Sequence, residues 1–368
     1  MGNNNYIPWS KPHFWGNENK YVQDALNSSW ISSGEYLNKL ESSFAKLFDK
    51  RYVLLTSSGT TALHLTYLSL GFNEGDEIII PGFAFMTAAN IALQMKLKPV
   101  FAEVDPGTWC LSVSSIEKNI TPKTKAIVPI HTYGNVCQMD EIMQLAKRHN
   151  LIVIEDCSEA LFSKHNHQYC GTFGHVSCFS FQAIKTITTG EGGLVVTDNE
   201  EIYQKMKLYH SHGLRERGTY HHELPGYNFR LTNIQAALGL AQFEKMENII
   251  QERKRIFQQY RHFFSNLNGV ELQQLHPAVD PVWWAFAMKL HESAFPLGRD
   301  GVIQELKDEG IETRPGFVAS SLLKIYEQHS LPVCEALSSQ IISLPSYTEL
   351  NNEEVEMICQ KFKKLIQD

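Results

Sequence analysis

Leu151-Ile152-Val153-Ile154-Glu155-Asp156-Cys157-Ser158-Glu159 decides how this chain folds. Its unbroken apolar start, Leu151–Ile154, suits a strand covered on both faces. It ends in carboxylates, and Asp156 falls at the C-terminal end of the strand, the edge where α/β sheets place ligands.

The same alternation continues outward. Ala126-Ile127-Val128-Pro129-Ile130 reads as a strand and Met139–His149 as a helix. Glu77-Ile78-Ile79-Ile80 is a strand, Pro81-Gly82 a turn, 86–96 a helix and Pro99-Val100-Phe101-Ala102 a further strand. Tyr52-Val53-Leu54-Leu55-Thr56 breaks at Ser57-Ser58-Gly59-Thr60, and a helix follows from Thr61 to Leu70, stopped by Gly71. Leu37, Leu40, Phe44 and Leu47 mark an amphipathic helix over 35–48. Strands alternating with helices predict a mostly parallel sheet of the α/β class. After about residue 200 the pattern changes. One long helix is expected over 231–263, a strand over Val282–Met288, and helices over 299–308 and 352–366. This divides the chain into a large domain, 1–240 with an N-terminal arm, and a small C-terminal domain, 241–368.

The chain has 368 residues and a formal charge of −7, with no long basic run. Nucleic acid is therefore not an expected partner. No run reaches the roughly 18 apolar residues of a membrane span. Met1-Gly2-Asn3-Asn4-Asn5-Tyr6 has neither the basic nor the apolar part of a signal peptide. Seven scattered cysteines, with no C-x-x-C, fit reduced thiols and a cytoplasmic location. The histidine pairs 165/167, 210/212 and 221/222 lack helical metal-ligand spacing, so no metal is expected.

Four stretches carry chemistry. Lys185 stands alone in the uncharged Phe179-Ser180-Phe181-Gln182-Ala183-Ile184-Lys185-Thr186, followed by Gly190-Glu191-Gly192-Gly193. Desolvation lowers a lysine pKa and frees the amine as nucleophile and base. A lysine snorkelling from a strand end fits the same residues. Asp156 suits a protonated ring nitrogen of a cofactor, or an ordinary cap. Ser57-Ser58-Gly59-Thr60 offers backbone N–H groups to a phosphate, or simply caps its helix. Asn228 and Arg230, in Tyr227-Asn228-Phe229-Arg230, serve an anion or a surface ion pair. Lys207, Arg215 and Arg217, in the His-rich 207–222 segment, are further candidates for a pyrophosphate.

In this order, the motifs resemble the DegT/DnrJ/EryC1/StrS sugar aminotransferases. The likeness rests on Ser58-Gly59-Thr60-Thr61-Ala62-Leu63, Gly75-Asp76-Glu77-Ile78-Ile79-Ile80-Pro81, His131-Thr132-Tyr133-Gly134, Glu155–Ala160, the Lys185 stretch and Tyr227–Ala237. The resemblance implies the pyridoxal-phosphate-dependent transferase fold type I: a large domain with a mixed, mostly parallel sheet, plus a small C-terminal α/β domain. It implies pyridoxal 5′-phosphate as cofactor and a homodimer with active sites at the subunit interface. Lys185 matches the Schiff-base lysine and Asp156 the partner of the pyridine nitrogen. Gly59, Thr60 and Ser180 match phosphate contacts, and Asn228 one from the other subunit. Phe85 matches the ring stacked on the cofactor, and Glu159 the position approaching the cofactor's O3′.

Within the family, Trp30–Gly34, Lys185–Gly193 and Ile311-Glu312-Thr313-Arg314-Pro315 are similar to the perosamine synthase branch. That branch implies L-glutamate as donor and C4 of a GDP-linked 4-keto-6-deoxymannose as acceptor, with Ser32, His131, Arg230 and Arg314 toward substrate. Three stretches depart from the branch: Gln182-Ala183-Ile184, Gly316–Ser321 and His175. Other readings are amination at C3 or C4 of a dTDP- or UDP-linked keto sugar, a dehydratase, and a non-catalytic binding protein. The family's dehydratases carry histidine at the lysine position, so Lys185 speaks against the second.

Overall fold

The computed structural model describes residues 6–216, 218–327 and 329–366. Arg217 and the N-terminal Met1–Asn5 lie outside them. Seven strands form the main sheet, in the spatial order Tyr52–Thr56, Gly193–Thr197, Val176–Ser180, Ile152–Asp156, Thr124–Ile127, Glu77–Pro81, Lys98–Ala102. The pairs from Val176–Ser180 across to Lys98–Ala102 are parallel, and Gly193–Thr197 runs antiparallel to both its neighbours. This is a mixed, mostly parallel α/β sheet.

Ile152–Asp156 lies at the centre. Its neighbours in sequence face opposite ways: Val153 joins the apolar layer of Leu40, Phe44 and Ile79, while Ile154 joins that of Leu63, Tyr67 and Ile80. That is why the run shows no polar alternation. Each fully buried side chain of this kind contributes ~1.5–3 kcal/mol. Helix Glu35–Phe48 covers one layer and helix Gly59–Leu70 the other.

The helix over Gly59–Leu70 begins two residues earlier than the sequence pattern predicts, because Ser58 closes a capping box with Thr61. Gly71 ends it in the left-handed conformation, φ 69°. The long helix expected over 231–263 is two helices, Asn233–Phe243 and Met246–Phe264. Their loyalties differ. The first packs on helices Glu18–Asn27 and Glu35–Phe48, the second on the C-terminal helix Asn352–Lys363 and strand Val270–Leu272. A straight rod would not serve both. At the break, Glu244 accepts hydrogen bonds from the Tyr21 hydroxyl and Asn17.

A second sheet orders Val270–Leu272, Phe286–Leu290, Ile341–Leu344 and Arg314–Pro315, all antiparallel. The strand expected over Val282–Met288 starts only at Phe286. Residues 282–284 bond elsewhere: Val282 N–H to Ser163 Oγ at 2.8 Å and Trp284 N–H to the Tyr133 carbonyl at 3.1 Å. The N-terminal arm pairs Ile7 with Ile311 beside this sheet.

Candidate active site

The carboxyl ends of the parallel strands converge on a pocket of about 490 Å³. Helix Gly59–Leu70 aims its N-terminus into it. Ser58 spends its side chain on the Thr61 N–H, and a helix start leaves its first N–H groups over, here those of Gly59 and Thr60. Gly59 packs so close to Ser180, at the end of the adjoining strand pair, that an added Cβ would sit 2.8 Å from Ser180 Cβ. Small residues, hydroxyls and free N–H groups fit a phosphate.

Asp156 stands at the end of its strand, 5% exposed, with one carboxylate oxygen accepting the Ser158 N–H at 3.0 Å. Lys185 lines the same pocket. Its Nζ lies 3.9 Å from Glu159 Oε1 and 3.8 Å from the centroid of the Trp284 ring. Burial pushes the Lys185 ammonium below the ordinary lysine range, and the carboxylates of Glu159 and Asp156 push it back up. Burial also raises Glu159 to about 7, against the lowering effect of Lys185 and of the Tyr133 N–H. Both groups thus move toward their neutral forms.

Four residues close a ring around the amine. Tyr133 donates its N–H to Glu159 Oε2 at 2.9 Å and takes the Trp284 N–H on its carbonyl. Tyr133 does this from a left-handed backbone, φ 59°, which a bulky residue adopts only under constraint. Trp284 Nε1 then donates to the carbonyl of Ile184, next to Lys185, at 2.8 Å. Trp9 meets the Trp284 ring edge-on at 5.5 Å, and Phe317 stacks on Tyr133 at 5.3 Å.

Of the residues singled out in the sequence, the pocket gathers Gly59, Thr60, Phe85, Asp156, Glu159, Ser180, Lys185 and Arg314. Phe85 is 67% exposed at its mouth. Arg314 pairs with Glu312 and lies over the Trp9 ring. Ser32 and Arg230 line a separate cleft of about 600 Å³. Asn228 accepts a hydrogen bond from Arg230 at 3.1 Å and is not in the pocket of its own chain.

The expectation that His131 faces substrate is corrected. Its ring is fully buried; Nδ1 accepts the Cys137 N–H at 3.2 Å, so Nε2 carries the proton and donates to Glu155 at 3.1 Å. Glu155 in turn takes the N–H groups of Gly171, Phe173 and Gly174. The motif reaches the site through Tyr133 instead. His131, Cys157 and Cys170 form the one cluster with metal-ligand spacing among the described residues, and this imidazole is already committed on both nitrogens. Sequence reasoning missed Trp284, Trp9 and Phe317. The available signal was the adjacent pair Trp283-Trp284, which an alternating strand would send to opposite faces.

A family model described as the DegT/DnrJ/EryC1/StrS aminotransferase family matches residues 14–363. The chain is 41% identical over 366 residues to the GDP-perosamine synthase of Escherichia coli O157:H7, covering 99% of each. It is 36% identical over 365 residues to that of Vibrio cholerae, covering 97% of this chain and 98% of the relative. Among solved structures it resembles a Helicobacter pylori aminotransferase involved in the biosynthesis of pseudoaminic acid, with TM-score 0.93, 29% identity and coverage of 98% and 99%. It also resembles the E. coli GDP-4-keto-6-deoxy-D-mannose-3-dehydratase with bound hydrated PLP, with TM-score 0.89, 26% identity and coverage of 97% and 99%.

Proposed function

The chain belongs to the DegT/DnrJ/EryC1/StrS aminotransferase family, and on that premise we propose that it moves an amino group from L-glutamate to C4 of GDP-4-keto-6-deoxymannose. The observation that carries this reading is the likeness, over 99% of both chains, to a GDP-perosamine synthase. Lys185 within the pocket favours amination over sugar dehydration.

Pyridoxal 5′-phosphate, the cofactor of these aminotransferases, supplies an electron sink for the carbon that loses its proton. This chain's residues do the rest. Lys185 would anchor the cofactor and, once released, take the donor's α-proton and return it to the carbon on the far side of the amino nitrogen, two bonds away. Burial, which lowers its pKa, favours the neutral amine this needs. Asp156 holds a proton on the pyridine nitrogen. Gly59, Thr60 and Ser180 seat the phosphate, and Phe85 covers the ring. Glu159, poised near neutral pH, shares a proton with the cofactor's O3′. Arg314, at the pocket, meets the sugar nucleotide.

The working unit is a homodimer, with Asn228 of each chain turned toward the partner's pocket. Support comes from Trp30 and Ile31, 64% and 50% exposed, beside Ser32 in the cleft that holds Arg230. The large domain, 1–240, carries the cofactor, and the small one, 241–368, adds Trp284, Arg314 and Phe317 to its wall. Free, buried cysteines support a cytoplasmic setting. No helix among the described residues is long and apolar enough to cross a membrane.

The test is incubation with glutamate and a panel of GDP-, dTDP- and UDP-linked keto sugars, with products read by mass and NMR. A GDP-linked 4-amino sugar is expected. An amine formed only on a dTDP or UDP sugar, or only at C3, would overturn the substrate assignment.

A further inference from the structure

Lys185 belongs to the wall of a second, smaller cavity of about 20 Å³. Arg253, from helix Met246–Phe264, lines it too, and is 5% exposed. Burial lowers the Arg253 pKa only to about 10, so the guanidinium stays cationic at neutral pH. One of its terminal nitrogens, Nη1, donates to the carbonyls of Trp283 and Trp284 at 3.1 and 3.0 Å. Its Nε has no partner among the described residues, and no carboxylate pairs with it there. A buried charge without a counter-ion is costly, and two carbonyl dipoles compensate it only in part.

The cavity answers this deficit. Its wall includes the hydroxyl-bearing Ser10, Thr186, Thr188 and Thr348, while the ammonium groups of the lining Lys11 and Lys185 lie against Glu349 and Glu159. No aspartate or glutamate lines it. The volume exceeds the 10–15 Å³ or so that admits one water, which leaves room for a single atom-sized occupant. A water would satisfy the Nε donor and leave the charge unbalanced, whereas an anion does both.

We propose that this cavity binds one halide-sized anion, chloride in a cell, held by Arg253 Nε and the surrounding hydroxyls. The anion neutralises the guanidinium behind the Trp283-Trp284 turn. Because the cavity shares Lys185 with the large pocket, its charge bears on the same amine.

Crystals of the full chain grown in bromide test this directly, since bromide scatters anomalously. An anomalous peak at hydrogen-bond distance from Arg253 Nε is expected; a water there, or a peak only elsewhere on the surface, overturns the site. In solution, thermal unfolding of the wild-type chain should rise by about 2 °C or more, saturably, as chloride replaces a large organic anion at fixed ionic strength. In Arg253→Met that response should vanish. An equal response in both would be a general salt effect and would also overturn the proposal. The bromide measurement needs no substitution, so it decides the matter even where Arg253→Met does not fold.

Discussion

The Lys185 amine sits 3.8 Å from the centroid of the Trp284 ring, inside the distance at which an ammonium is attracted by an aromatic face. The ring is held by its own hydrogen bond to Ile184 and by the edge of Trp9. Carboxylates of Glu159 and Asp156 face the same amine. Removing the ring should therefore leave the ammonium less favoured. Trp284→Leu is expected to lower the pH midpoint for uptake of pyridoxal phosphate by the cofactor-free protein, by roughly half to one pH unit. Trp284→Phe, which keeps a face but loses the indole donor, should recover most of the shift. An unchanged midpoint in the leucine variant would mean that the ring only fills space.

Glu159 gives a pH dependence with a definite sign. Its carboxyl moves from the ordinary 4.5 to about 7 on burial. Between those values the folded chain binds more protons than the unfolded one, so its contribution to stability falls as pH rises through that window. Glu159→Gln carries no such proton. Urea midpoints of the cofactor-free protein, taken from about pH 5 to about pH 8, should slope less steeply downward in the variant than in the parent. In the loaded enzyme the same substitution should shift the pH dependence of the cofactor's absorbance, and identical titrations would count against a shared proton.

Gly59→Ala places a methyl group 2.8 Å from Ser180 Cβ. Overpacking of this order costs about 1–3 kcal/mol. If Ser180 and the helix start hold the phosphate, the cost falls on the cofactor, and its dissociation constant should rise about ten-fold or more. Equilibrium titration reads this, and free phosphate should compete less well. Unaltered cofactor affinity would place the phosphate elsewhere.

Lys185→Ala should lose turnover by at least about 10²–10⁴-fold, and borohydride reduction of the loaded parent should label Lys185. Asn228→Ala should weaken activity without altering its own chain's pocket. Mixing the two impaired variants offers a sharper check. If Asn228 serves the partner's site, hybrid dimers regain one complete site, and up to about a quarter of parent activity returns by random pairing. No recovery would mean that Asn228 acts within its own chain.

Much of the large sheet could be read from the chain alone, because its strands are buried on both faces and announce themselves as apolar runs. Tyr52–Thr56 and Met139–His149 fall where the pattern puts them. Lys185, Asp156 and Glu159 meet because Asp156 ends its strand and the other two lie in the loops that follow the ends of adjacent parallel strands. What escaped the sequence is tertiary. Nothing local says that 231–263 must bend to serve two layers, or that Trp284 leaves the ladder to face an amine a hundred residues away in sequence. His131 misled for a related reason: a polar residue in a motif reads as a ligand contact until its partner, here the buried Glu155, is seen.

The arm that pairs Ile7 with Ile311 sets an order on synthesis. Trp9 is seated at the pocket by segments that follow much later: its N–H donates to Glu312, 303 residues further on, and its indole N–H to Ser343. During translation the large sheet can assemble while Trp9 still lacks the segment that will seat it. The tryptophan that finishes the pocket thus leaves the ribosome 303 residues before the carboxylate that holds its N–H. A nascent chain stalled before Glu312 would carry Lys185 and Asp156 in place beneath an unfinished wall.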